Sequence, residues 1–256
     1  ENGRKLKSLD ADVTIVVAND HANQFLLHCV PSFALHRGKE AKGHFAGRDF
    51  RFDVDSETST ALIRYLQDEK FDPAFTSTAE LDYAFGIPLT FLEMEGPVIP
   101  LYVNAYVPPQ PRMERCYHLG QAIDRALRAL GKRAVVVASG GLSHFPGTDR
   151  YASPATEFDL KLMRELSSGN LRWLLSLDEQ RLDETGNIEL RCWSVVAPRR
   201  ARVHLTVRVG VQLDLAQAAP PARVRRDPAL LDGATVYRSI SRAIVDRLAR
   251  RCSTGK

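Results

Sequence analysis

Short apolar runs alternate with segments of helically spaced apolar residues along the first two hundred positions of the chain. Three runs have the length and aliphatic character of buried strands, and they are 12–18, 97–107 and 133–138. Apolar residues recur at helical spacing in four further segments, which are 56–68, 115–130, 154–166 and 171–177. Strand, helix and strand in alternation predict an α/β fold with a mainly parallel central sheet flanked by helices.

Glycine positions refine this prediction at two places. Gly131 follows the segment 115–130 and is expected to end that helix. Residues 37–55 are rich in glycine and charge and are expected to form a loop.

Two polar motifs directly follow predicted strands. His21 comes after the first strand and His144 comes after the third, beyond Gly140 and Gly141. Ligands of open parallel sheets bind beyond the carboxyl ends of the strands. Both histidines are therefore expected at one edge of the sheet, and the two glycines are expected to allow a tight turn with positive φ there.

Composition narrows the class of protein. The chain has 256 residues, of which 44% are hydrophobic and 26% charged, as in ordinary globular proteins. The four cysteines show no C-x-x-C pairing and are expected to be reduced thiols, and no apolar run is long enough to cross a membrane. A cytoplasmic location is the default expectation.

Charge divides the chain into 1–197 and 198–256. Residues 199–256 hold 13 Lys and Arg against 4 Asp and Glu, so this end is strongly basic. Aromatic residues that would stack on bases are not interleaved with its basic residues, which argues against nucleic acid as a partner. A strand over 204–215, a linker over 218–228 and a helix over 234–251 are expected in it.

Five short motifs occur in a consistent order between residues 10 and 197. They are Asn19-Asp20-His21-Ala22, Asp82-Tyr83-Ala84-Phe85-Gly86, Pro108-Pro109-Gln110-Pro111, Gly140-Gly141-Leu142-Ser143-His144 and Gly186-Asn187-Ile188-Glu189-Leu190. Together they resemble the class III extradiol ring-cleavage dioxygenases, in particular the catalytic (beta) chain of the protocatechuate 4,5-dioxygenase type. Each motif is weak alone, but five in order are unlike a chance match.

The resemblance implies an iron(II) enzyme that opens a catechol-type ring with dioxygen, on a fold like that of the catalytic chains of extradiol dioxygenases. His21 and Glu189 would bind the metal, as part of a set of two imidazoles and one carboxylate. His144 would be the acid–base group, and Tyr83 would contact the substrate. The implied partners are an aromatic small molecule, dioxygen, and either further copies of the chain or a small alpha-type subunit.

Other interpretations of these residues stay open. A histidine after a strand is often structural, and Glu189 could be an acidic residue that serves a helix N-terminus. The remaining histidines are expected to be surface or structural residues, and they are His28, His36, His44, His118 and His204.

The chain departs from the family pattern in three ways. None of the twenty residues before His21 is a histidine, although the family has a further metal histidine on an amino-terminal strand. We expect a missing amino-terminal segment, or else a protein that has lost its metal. Tyr83 stands where the family often has histidine, which widens the expected substrates to aminophenols, or makes Tyr83 a packing residue. After Trp193 the similarity fades.

Because of these departures, two functions other than a dioxygenase remain open. One is a metal-free relative or partner subunit that retains the fold. The other is a metal-dependent hydrolase on a similar sheet, which would use a bound water as its nucleophile.

Overall fold

The structure is a computed structural model, and it describes residue 6 and residues 8–198, apart from residues 46, 79, 146–147 and 151–152. The expected strand 204–215, linker 218–228, helix 234–251 and His204 lie outside the described residues. The proposed boundary between 1–197 and 198–256 therefore stays a prediction.

Seven strands and six α-helices follow one another in the described part of the chain. The strands are β1 (Val13–Ala18), β2 (Phe33–His36), β3 (Glu40–Phe45), β4 (Arg48–Asp53), β5 (Ala74–Thr76), β6 (Val98–Val103) and β7 (Ala134–Ala138). The α-helices are α1 (Ser56–Asp68), α2 (Tyr83–Phe91), α3 (Met113–Ala129), α4 (Thr156–Ser167), α5 (Glu179–Thr185) and α6 (Leu190–Val196). A 3₁₀-helix covers Leu171–Ser176.

The central sheet has the strand order β5-β2-β6-β1-β7. Its three strands β6, β1 and β7 run parallel, β2 and β5 run parallel to each other, and β2 meets β6 antiparallel. The predicted α/β fold with a mainly parallel sheet is thus confirmed. Strand β1 is buried along its whole length because helices or the hairpin cover both faces of the sheet.

Two hydrophobic layers cover the sheet. On one face, α1, α3 and α6 pack against alternate residues of β1, such as Ile15 and Val17. On the other face, α2 and the β3–β4 hairpin pack against Val16 and Ala18. A smaller cluster joins α4, the 3₁₀-helix and α5 beside the start of α6.

The expected loop over residues 37–55 was wrong, because most of it forms the antiparallel hairpin β3–β4. The period-two alternation of Phe50 and Phe52 directs both rings to the second hydrophobic layer. Gly43 leaves room for the Phe50 ring, since a side chain at that position would collide with it. Glycine here allows close packing between strands instead of marking a loop.

The ends of the helices were better predicted. Helix α1 has the predicted bounds, and α3 ends one residue before Leu130, with Gly131 at a φ of 64°. Residues 171–177 form mainly a 3₁₀-helix instead of an α-helix. Among the described helices, none combines the length and the apolar character that crossing a bilayer needs.

Three buried polar groups lie in the sheet or directly beside it. His36 is fully buried and its Nε2 lies 2.8 Å from the carbonyl oxygen of Glu40, while burial holds the pKa of His36 below its ordinary value. The Tyr102 hydroxyl and the Asn19 amide nitrogen make no hydrogen bond to any described residue, and both residues line a cavity of about 10 Å³.

Candidate active site

The loop after β1 holds His21 at the carboxyl edge of the sheet. The Asp20 carboxylate accepts hydrogen bonds from the backbone N–H groups of Asn23, Gln24 and Phe25, at 2.9 to 3.1 Å. These bonds fold residues 20–25 into a compact turn, so His21 leaves the strand in a fixed direction. Asn19 fastens the same loop to the adjacent strand connection by accepting from the Ala105 N–H at 3.2 Å.

Asp82 orients the His21 ring. The ring Nδ1 lies 3.0 Å from Asp82 Oδ1, and the His21 backbone N–H donates to Asp82 Oδ2 at 3.3 Å. Asp82 also caps helix α2, because its Oδ1 accepts from the Ala84 N–H at 2.8 Å. A carboxylate can only accept, so Nδ1 carries hydrogen and the Nε2 lone pair is directed elsewhere.

Electrostatics around His21 favour its charged form. Burial of the ring lowers its pKa, but the hydrogen bond to Asp82 and the negative charges of Asp82, Glu189 and Asp20 outweigh burial. The pKa of His21 is therefore raised above its ordinary value. Any positive centre at Nε2 would meet the same attraction from the surrounding carboxylates.

Aromatic rings surround the His21 imidazole. The Tyr83 ring stacks on it at a centroid distance of 4.7 Å and an interplanar angle of 18°. Tyr106 lies tilted at 6.1 Å from the same imidazole, and Phe45 of the hairpin lies 4.9 Å from the Tyr83 ring. Tyr83 therefore does pack as an aromatic residue, and it does so at the edge of the sheet where His21 lies.

A glycine turn after β7 places His144. Gly140 has a φ of 141°, as expected from the sequence, and the chain then turns back toward the end of α5. The His144 N–H donates to the Gly186 carbonyl at 3.1 Å, and its ring Nδ1 lies 2.8 Å from the Leu142 carbonyl oxygen. Since a carbonyl only accepts, Nδ1 again carries hydrogen and Nε2 is the free basic nitrogen.

Glu189 lies between the two histidines. Its Oε1 is 3.7 Å from His21 Nε2, and its Oε2 is 3.9 Å from His144 Nε2. The residue precedes α6, but its side chain makes no capping hydrogen bond to that helix. Its Oε2 accepts instead a hydrogen bond from the Gly141 N–H at 2.7 Å, so the carboxylate faces the glycine turn that precedes His144.

The structure brings His21, His144 and Glu189 together, with Tyr83 stacked on His21. The pair His21 Nε2 and Glu189 Oε1 suits a shared divalent cation, because an imidazole nitrogen and a carboxylate oxygen are ligands of non-haem iron. Their 3.7 Å separation is compatible with two ligands of one ion. Within the described ranges, no group of three or more His, Cys, Asp or Glu residues has the arrangement of a metal site. The described residues therefore fit two positions of a ligand set.

Sequence reasoning missed two carboxylates of this region. Asp82 belongs to one of the five motifs but was assigned no role, although an acidic residue directly before a helix is a recognisable capping signal. Asp159 was not singled out, and its buried contacts with Ser143 and Asn187 depend on tertiary structure. Two other histidines lie away from the site: His36 is buried at the end of β2, and His44 pairs with Asp49 on the hairpin.

Known proteins were compared with the chain. Residues 1–198 match the family described as the catalytic LigB subunit of aromatic ring-opening dioxygenase. A 2,3-dihydroxyphenylpropionate/2,3-dihydroxicinnamic acid 1,2-dioxygenase of Klebsiella pneumoniae is 33% identical over 147 residues, which is 56% of this chain and 46% of that protein. A second enzyme of the same name from Pseudomonas putida is 32% identical over 163 residues, or 62% of this chain and 52% of that protein.

Among solved structures, an uncharacterized protein of Escherichia coli K12 aligns with a TM-score of 0.48 and 16% identity, covering 77% of this chain and 80% of that one. The chain spans about half the length of the curated relatives named above. The family match covers all five sequence motifs and every residue of the site. The chain belongs to the family of the catalytic LigB subunit of aromatic ring-opening dioxygenases.

Proposed function

We propose that the protein is an iron(II)-dependent extradiol dioxygenase that opens a catechol-type or aminophenol-type ring with dioxygen. The observation that carries the proposal is the placement of one buried carboxylate, Glu189, between the free Nε2 atoms of His21 and His144. Family membership and the relatives named as dioxygenases of dihydroxylated aromatic acids support the same reaction class.

In this proposal His21 and Glu189 are metal ligands. Asp82 fixes the tautomer of His21 so that Nε2 is available, which is the usual arrangement around a metal-bound imidazole. Iron(II), when bound, would supply open positions at which the ring oxygens and dioxygen meet. The third protein ligand would come from a part of the protein other than the described residues.

His144 acts as the acid–base group. Its Nδ1 hydrogen is committed to the Leu142 carbonyl, so Nε2 can take a proton from a ring hydroxyl and return it to the product. Glu189 Oε2 lies 3.9 Å from this nitrogen, so the proposed acid–base group and the proposed metal ligand are adjacent. The half-open position of the imidazole, 23% exposed, allows a substrate to reach it.

The substrate is proposed to be a flat aromatic ring. Tyr83, Tyr106 and Phe45 form an aromatic wall around His21, and such faces favour stacked or edge-on contact with another ring. Tyr83 could donate a hydrogen bond to a ring substituent, but a phenol is in general a poor base at neutral pH. This assigns proton transfer to His144 and substrate contact to Tyr83.

We further propose a cytoplasmic protein that works as a homo-oligomer or with a small alpha-type subunit. Cys29, Cys116 and Cys192 are free thiols, which agrees with a reducing compartment. Native mass spectrometry of the purified full-length protein would test the assembly.

The function is tested with the full-length gene product loaded anaerobically with iron(II). Oxygen uptake is measured with protocatechuate, gallate, catechol, 2-aminophenol and 2,3-dihydroxyphenylpropionate. His144→Gln should lower kcat by about 10² to 10⁴, the usual contribution of a positioned acid–base group. His118→Gln, at an exposed position on α3, is the matched control and should leave kcat unchanged.

Two outcomes would contradict the proposal. A protein that binds iron but consumes no oxygen with any of these rings is not a ring-opening dioxygenase of this class. A full-length protein that binds neither iron nor zinc at micromolar metal would be a metal-free relative or partner subunit instead.

A further inference from the structure

A buried carboxylate outside the proposed catalytic set contacts both loops of the site. Asp159 lies in the first turn of α4 and is 2% exposed. Its Oδ2 accepts from the Ser143 hydroxyl at 2.6 Å, and its Oδ1 accepts from the Ser143 N–H at 3.2 Å. The same Oδ1 accepts from Asn187 Nδ2 at 3.1 Å. Ser143 directly precedes His144, and Asn187 lies two residues before Glu189.

The surrounding hydrogen bonds extend this link into the backbone. The Ser143 oxygen accepts from the Ala155 N–H at 2.9 Å, and Asn187 Nδ2 also donates to the Thr185 carbonyl at 3.0 Å. Ser143 and Asn187 are each 1% exposed. Hydrogen bonds to a charged group are stronger in such a water-excluded region than at the surface.

The three donors explain why a carboxylate occupies this position. An N–H and an O–H of Ser143 and an N–H of Asn187 all converge on Asp159, so its two oxygens must only accept. An asparagine side chain at this position would direct its own N–H group at one of these donors, and that hydrogen bond would be lost. Asp159 also lies in the first turn of α4, where the helix dipole favours a negative charge.

Direct contacts between the two loops exist beside Asp159. The His144 N–H donates to the Gly186 carbonyl, and the Gly141 N–H donates to Glu189 Oε2. The loops would therefore remain adjacent without Asp159, and the fold does not depend on this carboxylate alone. What Asp159 adds is a shared anchor that fixes the position of one loop relative to the other.

We propose that Asp159 is a positioning residue that couples the loop of His144 to the turn of Glu189, and so fixes the distance between the proposed acid–base group and the proposed metal ligand. The importance of this coupling for catalysis rests on the proposed function. Small displacements of reacting groups are costly, since a misplacement of about 1 Å can reduce a rate a hundredfold.

The test uses Asp159→Asn in the full-length protein, with Glu157→Gln as the matched control. Glu157 is exposed in the same first turn of α4, so its replacement removes an equal charge without touching either loop. Hydrogen–deuterium exchange is measured by mass spectrometry for peptides that cover residues 140–145 and 185–190. We expect exchange in both segments to rise by about tenfold or more in Asp159→Asn, because a charge-assisted buried hydrogen bond is lost, and to stay unchanged in Glu157→Gln.

A kinetic readout separates positioning from general destabilisation. With the iron-loaded protein, Asp159→Asn should lower kcat by about tenfold or more while KM changes by less than about threefold, since the ring-contacting residues are untouched. If Asp159→Asn fails to fold, Ser143→Ala removes only the hydroxyl link, and the same two segments should exchange faster together.

The exchange experiment decides the inference independently of turnover. Faster exchange in only one segment, or in neither, overturns the coupling even if the wild-type protein opens rings. Faster exchange in both segments supports it even if no ring substrate is consumed, in which case the proposed function alone has failed. If the wild-type protein is active and Asp159→Asn has the same kcat as Glu157→Gln, Asp159 has no importance for catalysis.

Discussion

Asp82→Asn tests whether His21 is a metal ligand held by a carboxylate. Asp82 Oδ1 lies 3.0 Å from His21 Nδ1, and the Asp82 side chain is only 4% exposed, so water screens this contact weakly. Asparagine can still accept the Nδ1 hydrogen, but it no longer supplies a negative charge to the imidazole. Replacement of such a partner typically lowers metal affinity 10- to 100-fold, which is about 1.4 to 2.7 kcal/mol.

The substitution leaves the helix cap in place. Asp82 accepts from the Ala84 N–H at the start of α2, and asparagine caps helices about as well as aspartate. A matched control is Asp55→Asn, because Asp55 caps α1 in the same manner by accepting from the Thr58 N–H at 2.8 Å. Both variants should therefore unfold at similar denaturant concentrations, and only Asp82→Asn should lose metal.

The assay is an anaerobic titration of the full-length protein with iron(II) and, in parallel, with cobalt(II), whose absorption reports the ligands directly. Asp82→Asn should require about 10 to 100 times more free metal for half occupancy than wild type or Asp55→Asn. If wild type, Asp82→Asn and Asp55→Asn bind the metal with equal affinity, the reasoning is refuted, because the His21 imidazole that Asp82 orients would then not be a metal ligand.

Three further substitutions test separate parts of the structure. Gly140→Ala places a Cβ 2.8 Å from Trp193 Nε1 and strains the backbone, so the free energy of unfolding should fall by about 1 to 3 kcal/mol. Gly169 also has a positive φ but has open space around it, so Gly169→Ala should lower the free energy of unfolding by less. Equal losses of the two variants in a denaturant titration would show that backbone strain alone matters. Tyr102→Phe removes a buried hydroxyl that makes no hydrogen bond to any described residue, so the free energy of unfolding in a denaturant titration should rise by about 1 kcal/mol; a loss of similar size would contradict this and indicate that a water in the adjacent cavity bonds the hydroxyl. His36→Gln should flatten the rise of stability with pH just below the ordinary histidine pKa of about 6.5, because the lowered pKa of buried His36 makes the unfolded chain bind the extra proton there. An unchanged slope in urea unfolding at several pH values would contradict this.

The sequence predicted the sheet because its strands are buried on both faces. Val13–Ala18 and Val98–Val103 are apolar runs that are buried along their whole length, which is typical of strands covered on both sides. The run Ala134–Ala138 is the edge strand and is mostly half-buried, yet its apolar character was sufficient to predict a strand. The hairpin β3–β4 was missed because its one-sided alternation is weaker and its glycines suggested a loop. Glycine was correctly interpreted at Gly140, where φ is positive, and wrongly within β3, where it allows close packing.

Some residues of the candidate site could be predicted from local sequence, whereas others depend on tertiary contacts. His21 and His144 could be placed at one edge because parallel neighbouring strands end together, and β1 and β7 are such neighbours. Glu189 depended on the family resemblance, since it follows a helix and no strand. The bridge of Asp159 could not be predicted, because sixteen residues separate it from Ser143 and twenty-eight from Asn187, and no periodic pattern connects them.

The aromatic ring on His21 has a consequence for substrate choice. Tyr83 stacks on the imidazole at 4.7 Å and directly follows Asp82, so two adjacent residues at the start of α2 both contact His21. A histidine in place of Tyr83 could stack as well and could in addition exchange protons near neutral pH. Tyrosine keeps the ring contact and the hydrogen-bond donor but lacks the second base. In the proposed reaction, proton transfer would then depend on His144 alone, and rings that already carry a readily ionised hydroxyl should be favoured over plain catechol.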